Sequence, residues 1–325
     1  MTIMRPFAIA ALAAIAAASL AATAANAQTY PDKQITFIVP FAAGSATDQL
    51  ARALGQGVTG ETKQPVVIDN KPGANAFIGA QAAAKAAKDG YTVFITTNTT
   101  QAANEHLFKK LPYDPVKDFE PVTLLSKGGQ ILVVNNSLPV NSVQDLIKYA
   151  KANPGKLSFG SGSSSSRLAG ELFKQMTGSF IVNIPYRSNP PAVTDLIGGQ
   201  IQLMFTDMAT GLPQVKGGKV KALGVSTTKR IALAQDIPTI AEAGVKGYES
   251  TFWFAAYVPA GTPAPVVARL NDILSKANKS QAVTNFYQSV GFEPLGGSPD
   301  DLRKFQAAES QNWGKIVKAA GIEKE

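Results

Sequence analysis

The sequence predicts an α/β protein with largely parallel sheets, in about two domains. Three observations carry this: 325 residues is roughly twice a typical domain length, 45% of them are hydrophobic, and short apolar runs alternate with amphipathic stretches along the chain. That apolar fraction can fill ordinary cores and excludes wholesale disorder.

The first 27 residues stand apart. Arg5 precedes an apolar run from Phe7 to Ala22, which ends in the small-x-small pattern Ala25-Asn26-Ala27. This is the layout of a secretory signal peptide cleaved before Gln28. A membrane anchor is the competing reading, but an Ala-rich run with a cleavage pattern directly behind it favours removal. No later stretch approaches the roughly 20 apolar residues that a membrane span requires. The chain is therefore expected to be exported to the periplasm.

In chain order, Ile35–Val39 reads as a strand broken by Pro40, followed by the loop from Phe41 to Thr47. Leu50, Leu54 and Val58 then recur on one face of a helix. Val66–Ile68 is a second strand, Asn70–Gly73 a turn, and Ile78–Ala87 an Ala-rich helix. Asp89-Gly90 turns into a third strand, Tyr91–Thr97. The Pro-rich connection Leu111–Pro115 opens a second block. There Ile131–Val134 is a strand, and a helix begins at Val143. Leu157–Phe159 runs into Gly160-Ser161-Gly162-Ser163-Ser164-Ser165-Ser166, and Leu168, Leu172 and Met176 mark the next helical face. Ile181–Ile184, Ile201–Phe205 and Val220–Val225 are strands, and the chain beyond Pro259–Pro263 is mainly helical.

Composition removes much common chemistry. There is no cysteine, which excludes disulfides, thiolate metal sites and cysteine nucleophiles. The one histidine, His106, has no second His beside it, so neither a His-rich metal site nor a Ser-His-Asp triad is expected. No metal and no cofactor is expected. Lys and Arg outnumber Asp and Glu 31 to 23, but they are scattered, without a basic run or stripe, so nucleic acid is not an expected partner.

The Gly/Ser stretch 160–166 has the composition of a flexible linker. Its position, between an apolar strand and an amphipathic helix, argues instead for a loop that exposes free N–H groups and hydroxyls at a helix start, a ready anion site. The loop Ala43-Gly44-Ser45-Ala46-Thr47 has the same layout. Two such loops at strand ends can face each other across a cleft. Plain helix capping is the alternative for both.

From Tyr30 onward the chain resembles the Bug family, the periplasmic solute-binding components of tripartite tricarboxylate transporters. The resemblance rests on Tyr30-Pro31, Ile38-Val39-Pro40-Phe41, Gly44 and Asp48 with Ala51-Arg52, and Asn70-Lys71-Pro72-Gly73-Ala74 with Ile78-Gly79-Ala80. It continues through Asp89-Gly90-Tyr91-Thr92, Leu111-Pro112-Tyr113-Asp114-Pro115, Pro154-Gly155-Lys156-Leu157, Pro185-Tyr186, Gly198-Gly199-Gln200, Gly247-Tyr248-Glu249 with Trp253, and Pro259-Ala260-Gly261-Thr262-Pro263. It implies a monomeric, non-catalytic, two-lobed binding protein with two crossings between lobes. On this chain, residues 28–128 with 252–325 would form one lobe and 129–251 the other. The resemblance also implies a small organic carboxylate held in the cleft and delivered to a membrane permease. One carboxylate would be gripped by Ala43, Gly44, Ser45, Ala46 and Asp48 in one loop and by Ser161 to Ser166, with Ser161, Ser163, Ser165 and Ser166 foremost, in the other. The chain departs from the family pattern at Ser45, where a second Gly is usual, at Arg167, where His is common, and at Thr206, where Asp is common and Asp207 follows one place later.

Individual candidates carry two readings each. Asp48 makes an i,i+4 pair with Arg52 near a helix start, or it contributes to the site through water. Arg167 sits unfavourably in a first helical turn, so it either extends into water or meets a ligand carboxylate. In the second case the ligand is a dicarboxylate, with an aromatic spacer such as that of terephthalate if Phe41 or Trp253 lines the cleft. Tyr186 could line it too, and Thr97 and Asn98 end a strand where α/β sites usually sit. Thr206 and Asp207 bear on amino-acid ligands, because Thr206 removes a partner for an ammonium group unless Asp207 compensates. Two other classes compete with the receptor. One is a periplasmic sensor that presents its ligand state to a membrane signalling protein. The other is a serine hydrolase using Ser226-Thr227-Thr228-Lys229, an S-x-x-K match that lacks its S-D-N and K-T-G companions.

Overall fold

The computed structural model describes residues 30–325, so the signal-peptide segment and the expected start at Gln28 lie outside the described residues. The strands are β1 Ile35–Val39, β2 Val66–Asn70, β3 Thr92–Thr97, β4 Phe119–Asn135, β5 Ser158–Ser161, β6 Val182–Pro185, β7 Leu203–Asp207, β8 Val220–Val225, β9 Thr251–Pro259 and β10 Glu293–Pro294. The helices are α1 Ala46–Thr62, α2 Phe77–Ala84, α3 Asn104–Leu107, α4 Val143–Ala152, α5 Ser164–Thr177, α6 Asn189–Ile197, α7 Met208–Lys216, α8 Ala264–Ala277, α9 Gln281–Val290 and α10 Pro299–Ala319. A π-helical turn, Thr99–Ala103, leads from β3 into α3.

Two lobes share one curled sheet. In the first, β1 lies parallel between β2 and β3. In the second, β5 lies parallel between β6 and β7. Each parallel strand of this kind runs into a helix that folds back over the sheet. The lobes are joined by β4 and β9, which run antiparallel, and both lobes therefore carry antiparallel strands beside their parallel ones. β4 is 17 residues long and changes partner along its length. From Phe119 to Gly129 it pairs with β9, and from Gln130 onward with β7 and β8. β9 starts at Thr251, opposite Gly129. The partner switch of β4 at Gly129–Gln130 thus lies opposite the start of β9.

The α1 spacing is realised as read. Leu50, Leu54 and Val58 are buried, and each full burial of such a side chain is worth about 1.5–3 kcal/mol. Ser45 caps the helix by accepting from the Asp48 N–H at 3.3 Å. The α5 face differs from expectation. Leu168, Ala169 and Phe173 are buried, Leu172 is half-buried, and Met176 faces solvent. Phe173 packs with Phe205 and Tyr248 to form the second lobe's core, and this rotates the helix away from the Leu172–Met176 edge.

Candidate functional site

The cleft holds a cavity walled by Phe41, Ser45, Ala46, Thr47, Thr97, Gln130, Gly162, Ser163, Ser165, Ser166, Ser188, Asn189, Asp207, Phe252 and Phe254. Register accounts for four of these. Thr97 and Phe254 are cross-strand neighbours in β3–β9, and Gln130 and Asp207 are neighbours in β4–β7.

Two helix starts face this space. In α1, Ala46 and Thr47 are the first two residues, and their N–H groups have no acceptor within the helix. Gly44, at φ +79°, takes the left-handed backbone conformation that glycine adopts freely, and its N–H donates to Asp48 Oδ2 at 2.9 Å. In α5, Ser163 and Ser166 form a reciprocal capping box, with the Ser166 N–H donating to Ser163 Oγ at 3.2 Å and the Ser163 N–H to Ser166 Oγ at 3.1 Å. That leaves the Ser164 and Ser165 N–H groups free of intrahelical partners. Gly162 is required here, because a Cβ would sit 2.2 Å from the backbone of Ser188 and Asn189. The serine run is thus an ordered helix start and not a linker.

Hydrogen bonds pass directly from lobe to lobe beside the cavity. Ser164 Oγ donates to Asn104 Oδ1 at 2.7 Å, Ser165 Oγ to Asn98 Oδ1 at 3.0 Å, and the Ala42 N–H to Ser188 Oγ at 3.3 Å. The cleft is therefore closed in this structure.

Asp207 ends β7 and caps α7. Its Oδ1 accepts from the Thr210 N–H at 2.8 Å, and its Oδ2 from Asn189 Nδ2 at 2.7 Å. Burial pushes its carboxyl above the usual range, against the pull of these hydrogen bonds. Asn189 Oδ1 and both polar atoms of the Gln130 amide are buried without a protein partner. Orphaned buried polar atoms of this kind are costly unless a ligand or water meets them.

Of the residues singled out from sequence, Phe41, Ser45, Ala46, Thr97, Ser163, Ser165, Ser166 and Asp207 come together on the cavity wall. The others lie elsewhere. Ala43 and Gly44 are exposed at the loop tip, and Asn98 stands behind Ser165. Asp48 faces back into the first lobe, where Gly44, Arg52 and Asn70 all donate to it. Burial alone would raise its carboxyl, but the bonds from Arg52, Gly44 and Asn70 outweigh it and hold the group below the usual range. Ser161 donates to Asn183, and the Tyr186 hydroxyl to Asp195 at 2.8 Å. Thr206 is buried on the sheet face opposite to Asp207.

Two placements change the reading of the ligand. Arg167 points away from the cavity, and its guanidinium meets Glu325 at 2.8 Å. Glu325 is held against the first lobe by backbone bonds to Leu107 and Lys109, so the pair bridges the lobes. Trp253 faces away too, donating to Glu309 at 3.1 Å, while Phe252 and Phe254 on either side of it turn to the cavity. The serine-hydrolase reading loses its nucleophile. Ser226 Oγ is fully buried at the crossing, donating to the Ser250 carbonyl and accepting from the Gln130 N–H, and Lys229 is exposed. His106 Nε2 hydrogen-bonds Ser310, outside the cavity. Thr47, named in sequence as part of the first loop, lies on the wall too, whereas sequence reasoning missed Gln130, Ser188, Asn189, Phe252 and Phe254. Gln130, a polar residue heading an apolar strand, carried the one usable signal.

Known proteins share this architecture. Residues 50–322 match the model of the tripartite tricarboxylate transporter family receptor. BugT of Bordetella pertussis is 35% identical over 299 residues, spanning 91% of this chain and 92% of that protein. The structure of R. palustris Rpa4515 with adipate superposes with a TM-score of 0.88 at 38% identity, over 91% of this chain and all of that one. Periplasmic binding protein BugD superposes at 0.87 with 32% identity, again over 91% of this chain and all of that one. Among the described residues no helix is long and apolar enough to cross a membrane. The closed two-lobed cleft, its paired helix starts and these similarities lead to one conclusion: the chain belongs to the Bug-type family of tripartite tricarboxylate transporter receptors, which bind solutes in the periplasm.

Proposed function

We propose that this receptor captures a small dicarboxylate in its interlobe cleft and delivers it to the permease subunits of a tripartite tricarboxylate transporter, without catalysis. One carboxylate would rest between the two helix starts, taking N–H groups of Ala46, Thr47 and Ser165 and the hydroxyls of Ser45 and Ser163. Phe41, Phe252 and Phe254 would cover its spacer, aliphatic as in adipate or aromatic as in terephthalate. The second polar end would meet Gln130, Asn189 and Asp207 in place of Arg167. The lobes would close as units about boundaries at 128/129 and 251/252. The protein would act as an exported monomer after signal-peptide cleavage.

One observation carries the proposal: two serine-capped helix N-termini converge on a cavity whose lining includes Phe41, Phe252 and Phe254 and no Lys, Arg or His. Such termini favour an anion without needing a cation. A thermal-shift screen of aliphatic and aromatic mono-, di- and tricarboxylates tests it. A true ligand at a hundred times its Kd should stabilise the protein by about 2.7 kcal/mol. If no carboxylate raises the melting temperature, the proposal fails.

A further inference from the structure

Among the residues that wall the cavity there is no Lys, Arg or His, and Asp207 is the one ionisable group. A dicarboxylate must therefore place its second carboxyl in a space that already holds a buried acid and offers no cation. Two ionised carboxylates at close quarters have only lone pairs to present to each other, and their repulsion is resolved by one proton held between them.

The neighbouring groups favour the same outcome. Asp207 accepts one hydrogen bond on each oxygen, from Thr210 and from Asn189, which leaves a second lone pair on each. Asn189 Oδ1 and Gln130 Oε1 are further acceptors without a partner, and Gln130 lies directly across the strand pair from Asp207. The donors nearby, the Gln130 amide nitrogen and the hydroxyls of Thr210 and Ser188, are all neutral. An ionised carboxylate, which accepts only, would face the oxygens of Asp207, Asn189 and Gln130 without a cation, whereas a carboxylic acid donates one proton and still accepts.

Resting on the dicarboxylate reading above, we propose that Asp207 and the far carboxyl of the ligand share a single proton, so that the receptor takes up one proton from solvent for each dianion it binds. The balance is simple: dianion, ionised Asp207 and one bulk proton give a complex in which an O–H···O bond joins the two carboxyl groups. In the open cleft Asp207 is hydrated and ionised. Closure removes that water and raises the Asp207 carboxyl, and the ligand carboxylate brought against it then completes the shift to one proton held across the pair. No other titratable group faces it. β4 contributes Gln130, the start of α6 Ser188 and Asn189, α7 Thr210, and β9 Phe252 and Phe254. Arg187, just before Ser188, is exposed, and Asp195 is occupied by Tyr186.

Titration calorimetry with adipate, terephthalate and succinate, repeated in buffers of different ionisation heat, reads the proton count directly. Near pH 8 each dicarboxylate that binds should take up about one proton, and its affinity should fall about tenfold per pH unit between about pH 7 and 9. Hexanoate, which keeps only the loop-bound carboxylate of adipate, should take up none. Asp207→Asn retains a side chain suited to capping α7 and should abolish both the uptake and the pH dependence. Dicarboxylate binding without proton uptake would overturn this inference and leave the dicarboxylate reading intact. Uptake that persists in Asp207→Asn, or that appears with hexanoate, would overturn it too. If none of the three dicarboxylates binds at any pH, the dicarboxylate reading falls and the inference with it. Should the variant fail to fold, the wild-type proton count decides alone.

Discussion

Removing Arg167 should weaken every ligand by the same small factor. Its guanidinium touches Glu325 at 2.8 Å, and because Arg167 belongs to α5 while Glu325 is pinned to the backbone of Leu107 and Lys109, the contact ties one lobe to the other. The Arg side chain is 16% exposed but its partner is 56% exposed, so water and salt screen the pair. A pair with one partner open to solvent in this way is taken at the surface-pair value of about 0.2–1 kcal/mol. If the bond exists only when the cleft is closed, its loss lowers the closure free energy by that amount and the affinity by at most about fivefold. A guanidinium bonded to a ligand carboxylate would behave differently, costing about 1.5–3 kcal/mol, or about 10- to 150-fold. Calorimetric titration of wild type and Arg167→Ala with adipate and hexanoate separates the two cases. The structure predicts equal losses of up to about fivefold for both ligands, reproduced by Glu325→Gln and not enlarged in the double variant. A loss of tenfold or more confined to adipate would place Arg167 on the ligand and refute this reasoning.

Replacing Asp48 by Ala should cost about 1–3 kcal/mol of stability, since Gly44, Arg52 and Asn70 would all lose an acceptor; urea unfolding measures it. Because the folded carboxyl titrates below its unfolded value, its contribution is complete above the usual Asp range and disappears as pH falls through the lowered value. The stability gap between wild type and Asp48→Asn should thus narrow from about pH 7 to about pH 3, and a constant gap would contradict the linkage. Gly162→Ala should abolish carboxylate binding, because its Cβ drives the serine loop from Ser188 and Asn189; unchanged affinity would show that this approach is dispensable. The intact mass of the periplasmic protein should correspond to a chain starting at Gln28, and recovery of the uncut chain in the membrane would contradict export. Solution scattering should show a smaller radius of gyration with saturating ligand than without it.

Local chemistry made the scaffold legible. The Leu50–Leu54–Val58 spacing fixed α1, and the two Gly/Ser loops marked the helix starts that line the cavity. What stayed hidden follows from burial and distance. β9, Thr251–Pro259, is buried along almost its whole length, so it shows no alternation of apolar and polar residues. Without it as a strand, the period of two that turns Phe252 and Phe254 inward and Trp253 outward could not be applied. Pro121 and the Gly128-Gly129 pair disguised the first half of β4 in the same way. Arg167 was correctly placed in the first turn of α5, but its direction depends on Glu325, which no local pattern could bring near. The period of two also separates Thr206 from Asp207, so the acid one place along is the one that reaches the cavity.

On the proposed function, the paired helix starts grip one carboxylate of the ligand. Calorimetric comparison of adipate with its monoamide and diamide tests it most directly. Adipate should bind saturably and one-to-one, the monoamide, which keeps one carboxylate for the loops, should bind more weakly, and the diamide should not bind. Diamide binding as tight as that of adipate, or no heat of binding with any carboxylate, would contradict it.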